Sequence, residues 1–116
     1  MNLEVIREYC INKKAVTESL PFDDETLVFK VAGKMFALLS LSGDWGLNLK
    51  CNPEKAIELR EKYSDIVPGY HMNKVHWNTL NLNGLLPEKM VFDLIDHSYQ
   101  LIVDSLSKKL KTESGF

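Results

Sequence analysis

Apolar positions recur along the chain with two different periods, and each change of period marks a new element. From Asn2 to Lys13, Leu3, Ile6 and Cys10 share one stripe with Val5 and Tyr9 beside it, while Glu4, Arg7 and Glu8 fall elsewhere. This predicts an amphipathic helix docked on a sheet. The period then drops to two. Ala15 to Phe22 predicts a short strand, with Val16, Glu18 and Leu20 alternating against Thr17 and Ser19 until Pro21 stops it. After the charged loop Asp23-Asp24-Glu25, Thr26 to Val31 and Lys34 to Leu41 predict two longer strands joined by a tight Ala32-Gly33 turn. Ser42-Gly43-Asp44 turns the chain into a fourth, Trp45 to Lys50. The result is a meander with one buried face, its solvent face showing Lys30, Asn48 and Lys50.

Helical spacing then returns. Asn52-Pro53 is a helix start, because asparagine caps free backbone amides and proline is preorganised for the first turn. This helix is expected to run to about Tyr63, burying Ala56, Ile57 and Leu59 or Tyr63 and exposing Glu54, Glu58, Arg60, Glu61 and Lys62. Trp77 to Leu82 predicts another strand. Pro87 opens a long final helix with Val91, Leu94, Ile95, Ile102 and Leu106 inward and Lys89, Asp93, Asp96, His97, Gln100 and Asp104 outward. Thr112 to Phe116 is expected to fray. The order predicts a two-layer α+β sandwich: an antiparallel sheet of about five strands, with the N- and C-terminal helices packed on one face.

Composition narrows the class. The 116 residues fit one domain, and 45% apolar with 26% charged residues matches globular averages. No apolar run approaches the ~20 residues of a bilayer span. Met1 is followed by a polar amphipathic segment, so no signal peptide is expected. Cys10 and Cys51 do not make a disulfide framework, which points to reduced thiols in a cytoplasmic protein. A net charge of −2 opposes a generic nucleic-acid binder, but the acids are unevenly spread. None lies between Thr26 and Gly43 or between Ile66 and Pro87, the stretches that hold Lys30, Lys34 and Lys74. If both share a surface, it is locally positive.

Candidate chemistry concentrates between Gly69 and Leu82, which packs His71, Lys74, His76, Trp77 and three asparagines without one carboxylate. His71 and His76 are five apart, matching neither one helix face nor one strand face, so no metal site is expected. Neither cysteine has a histidine nearby in sequence, and there is no Gly-x-Ser-x-Gly elbow. Gly43-Asp44-Trp45-Gly46 is too short and too acidic to cradle phosphate. No catalytic residue or cofactor is therefore assigned. As a binding edge, Lys74 offers a phosphate contact, Asn73 and Asn78 offer amides, and His76 or Trp77 offers a stacking surface. The structural alternative is a Trp77 that anchors the core.

His71-Met72-Asn73-Lys74 followed by His76-Trp77-Asn78-Thr79 resembles the MmcQ/YjbR family of small bacterial proteins of cytoplasmic type. Leu27-Val28-Phe29-Lys30-Val31 with Gly33-Lys34-Met35-Phe36-Ala37-Leu38-Leu39 is similar to that family's central hairpin. Ser98-Tyr99-Gln100-Leu101-Ile102-Val103 is similar to its final-helix signature. The resemblance spans nearly the whole chain and implies a frataxin-like sandwich, described for the family as a double-wing DNA-binding motif. An iron-handling role would need an acidic ridge, and the first helix holds only Glu4 and Glu8. The leading expectation is a non-enzymatic, cytoplasmic DNA-binding protein. Lys34, Lys50 and Lys74 would meet phosphates, and His76, Trp77 and Asn78 would supply stacking or polar contacts. The alternative is an interaction module for a protein or small ligand, built around Trp77.

Overall fold

Capping, turn chemistry and strand alternation produce the order α1 (Leu3–Ile11), β1 (Val16–Ser19), β2 (Thr26–Val31), β3 (Lys34–Ser40), β4 (Trp45–Lys50), α2 (Pro53–Lys62), β5 (Ile66–Pro68), β6 (Trp77–Asn81), α3 (Glu88–Ser105) and α4 (Lys108–Glu113). This computed structural model describes residues 1–42, 45–69 and 72–116, with Trp45 described by its backbone alone. Gly43, Asp44 and His71, which entered the turn, phosphate and metal readings above, lie outside the described residues.

The six strands form one sheet in the order β1-β2-β3-β4-β6-β5, and every neighbouring pair is antiparallel. The sheet has one strand more than expected. Ile66–Pro68 pairs with β6 through Ile66 to Leu80, Val67 to Thr79 and Pro68 to Asn78, forming an edge strand too short to carry a period of its own. The β2–β3 hairpin turns on Ala32 and Gly33, at φ 50° and 84°. A Cβ on Gly33 would meet nothing, so glycine serves there for its backbone freedom alone.

Alternation sorts the strand residues onto two faces. Phe29, Val31, Leu39, Leu47, Leu49 and Leu80 point to the side covered by α1 and α3, where they pack with Ile6, Cys10, Val91, Leu94, Ile95 and Ile102. Fully burying such side chains contributes about 1.5–3 kcal/mol each. Cys10 is buried and its thiol is pushed up to about 12 by loss of solvent, while Cys51 is also buried and free. On α2 the burial differs from the expectation: Ala56 is fully buried, but Ile57 is 53% exposed. The smaller residue lets the helix backbone come close enough for the Ala56 carbonyl to accept from Asn78.

A bulge sits at the centre of the sheet. Phe29 pairs with Ala37 but Lys30 pairs with Met35, so Phe36 is an extra residue on β3. Ser98 of α3, fully buried, repairs the interruption: its hydroxyl donates to the Phe36 carbonyl (2.5 Å) and accepts from the Lys50 amide (2.9 Å).

The outer side of α3 and the C-terminus are more engaged than expected. Asp96 accepts from Tyr9 Oη (2.8 Å) and Lys13 Nζ (2.5 Å). The chain does not fray after α3. Ser107 caps α4 by accepting from the Leu110 amide, Phe116 packs edge-on to Tyr99, and Lys14 donates to the Gly115 carbonyl. Among the described residues, no helix is long and apolar enough to cross a membrane.

Candidate nucleic-acid interface

The antiparallel register brings the C-terminal ends of β2 and β4 and the N-terminal ends of β3 and β6 to one end of the sheet. Lys30 and Lys34 flank the β2–β3 turn, Lys50 closes β4 opposite Trp77, and Lys74 and His76 lie in the turn entering β6. Lys34, Lys74 and His76 are exposed, and Lys30 and Lys50 are half-buried. Among the described residues, none of these lysines is in an ion pair. Separation in sequence concealed this gathering, which the register makes direct.

Gly69 and residues 73–78 are held by local hydrogen bonds. Asn73 accepts from the amides of Val75 (2.9 Å) and His76 (3.3 Å), while its carbonyl accepts from the Trp77 amide (2.9 Å). This Asx turn uses the Asn73 side chain locally. Gly69 donates to the Trp77 carbonyl (2.7 Å) so closely that a Cβ there would stand 2.8 Å from Trp77 Cβ. Lys74 Nζ donates to the Gly69 carbonyl (3.0 Å). Arg60 of α2 closes the turn from behind: its Nε donates to Asn78 Oδ1 (2.6 Å) and its Nη2 to the carbonyls of Lys74 and Trp77.

The six residues singled out from sequence therefore separate. Lys34, Lys50, Lys74 and His76 share the sheet end. Asn78 is 2% exposed on the helix-covered side, its oxygen taken by Arg60 and its amide nitrogen by Ala56, so it presents nothing to a nucleic acid. Trp77 is 8% exposed and joins Val28 and Leu38 in a second apolar cluster on the opposite face, with Met35 and Met72 packed against it. Its indole thus belongs to the packing, not to an exposed stacking platform. Arg60 and Lys30 are the residues that sequence reading undervalued. Both were assigned to solvent, and periodicity carries no signal for an arginine that turns back to bind carbonyls.

The face away from the helices is not bare. Val28, Leu38, Asn48, Thr79 and Val67 align across it in one row. All of these but Val28, together with Met35, Met72 and the segment around Phe22, line a cavity of about 860 Å³. At its floor Thr79 Oγ1 donates to Asn48 Oδ1 over 2.5 Å.

Comparison with known proteins agrees with this architecture. The YjbR family model matches residues 11–101. The chain belongs to the YjbR family. It is 34% identical to Escherichia coli YjbR over 110 residues, covering 94% of this chain and 93% of that protein. It is 43% identical to YbdF of Escherichia coli over 90 residues, covering 77% and 74%. The crystal structure of Deinococcus radiodurans DR2400, described by its DUF419 domain, superimposes with a TM-score of 0.92 at 38% identity, covering 99% of this chain and 88% of that one. The sandwich is thus shared with that structure, and the bulged hairpin falls inside the matched region.

Proposed function

We propose that this YjbR-family chain is a non-enzymatic, cytoplasmic DNA-binding protein that meets the phosphate backbone with the lysine-bearing end of its sheet. The observation that carries the reading is the convergence of Lys30, Lys34 and Lys74, from two acid-free stretches, with Lys50 onto one end, without ion-pair partners among the described residues. From β2 to β6 this end spans three inter-strand spacings, about 14 Å. That is comparable with the ~12 Å width of the major groove, so the outer lysines reach phosphates on both walls. With Trp77 and Asn78 packed inside, binding is through the backbone and carries little base readout.

Fluorescence anisotropy on a labelled duplex at several salt concentrations tests this. Four phosphate contacts give a slope of about −3 to −4 in log K against log salt, and each Lys→Gln substitution flattens it by about one. Absence of binding at the lowest salt would overturn the reading.

A further inference from the structure

We infer that the cavity on the helix-free face of the sheet is a binding site for a small lipophilic cation. The site uses none of the lysines, although it adjoins their end of the sheet at Met35, the register partner of Lys30. At about 860 Å³ the cavity lies within the ~300–1,000 Å³ range of small-molecule sites. Its walls are apolar and adaptable. Leu38 and Val67 lie on the strands, and Met35 and Met72 bring unbranched side chains that reshape around a guest. At the floor Thr79 donates to Asn48 across β4 and β6.

Among the described residues lining the cavity, charge enters at one end, and Asp23 alone is charged. Its carboxylate accepts from the Glu25 amide (2.9 Å) and the Thr26 amide (2.7 Å), which hold its pKa below the ordinary value and keep it anionic. Asp24 and Glu25 follow on the same exposed turn, and Glu25 accepts from Ser42 beside the exit of β3. An apolar lip of Leu20, Phe22 and Leu41, 47%, 65% and 44% exposed, flanks this acidic end. Lys30 and Lys50 lie at the far end of the face and are not part of the lining. A guest with an apolar aromatic body and one positive charge satisfies every part of this arrangement, while an anion of the same shape meets a carboxylate at the mouth.

Tetraphenylphosphonium and tetraphenylborate, nearly identical in shape and opposite in charge, separate these terms. Each is titrated into isotopically labelled protein and followed by amide chemical shifts and calorimetry. The phosphonium is expected to bind at least tenfold tighter, with the largest shifts at Leu38, Asn48, Val67, Met72 and Thr79. Asp23→Asn keeps an oxygen that can accept from the same amides and is expected to weaken the phosphonium about threefold with only a small fall in melting temperature. Equal or tighter binding of the borate would overturn the cationic preference. Silence from both ions, or sedimentation as a dimer whose contact shifts map to this same face, would overturn the site, the latter assigning the face to a second copy of the chain.

Discussion

Arg60 on α2 and Asn78 on β6 are joined by a 2.6 Å hydrogen bond from the guanidinium Nε to the amide oxygen, beneath the turn that enters the strand. The same guanidinium holds two carbonyls of that turn. A hydrogen bond involving a charged group contributes about 1.5–3 kcal/mol. Arg60→Ala is therefore expected to destabilise the fold by about 2 kcal/mol in urea titration. Arg60→Lys should recover little, because an ammonium cannot span the fork. A double-mutant cycle with Asn78→Ala should show coupling of about 1 kcal/mol or more. Additive effects would mean the two residues act independently.

Ser98 connects the bulge in β3 to the end of β4, and both of its partners are backbone groups that the ladder leaves unpaired. Ser98→Ala strands the Phe36 carbonyl and the Lys50 amide in the interior. Leaving such groups unsatisfied costs about 1–3 kcal/mol. Hydrogen exchange at the Lys50 amide should accelerate in this variant well beyond the global change, and unchanged protection would contradict the bridging role.

Trp77 packs against Val28 and Leu38, which lie three and two strands away in the sheet. Deleting a buried aromatic costs about 3–5 kcal/mol, so Trp77→Ala should lower stability by that order and Trp77→Phe by much less. Gly69→Ala should be destabilising by a different route, since its methyl group would press on Trp77. A Trp77→Ala protein with a native melting temperature would return the indole to the list of exposed contacts.

His97 accepts the Asn52 amide on its Nε2 (3.1 Å), which requires the neutral ring. Burial, followed by the nearby Lys55 charge, lowers its pKa below 6.5. In the window between the folded value and 6.5 the unfolded chain binds more protons, so stability rises with pH there. The contribution of His97 is complete above 6.5 and is lost as pH falls through the folded value. Chemical denaturation between pH 7.5 and 5 should show this decline, and His97→Gln should flatten it.

Much of the fold was legible because single residues carried the signal. Asn52-Pro53 spelled a capped start, Ala32-Gly33 a hairpin turn, and Val91 to Ile102 an inward stripe. What escaped was decided by packing. Ile66–Pro68 is too short to show alternation and ends in a residue that reads as a turn. Ser107 starts a new helix where the lysines that follow looked like the tail of the last one. The candidate site was half legible: charge depletion pointed to the lysines, but nothing local distinguishes a Trp77 that covers one sheet face from an Asn78 buried in the other. The cavity was hidden for the same reason, since Met35, Leu38 and Val67 meet only after register aligns their strands.

The sheet ends on one side in the four residues of β1 and on the other in the three of β5, the latter closed by Pro68. Neither border offers a template long enough for another chain to add a strand, and proline withholds a donor where one would begin. Fibril growth by edge pairing is thereby discouraged even at high concentration. Partners of every kind are left to approach through the faces and ends of the sheet, which is where its charge and its hollow are found.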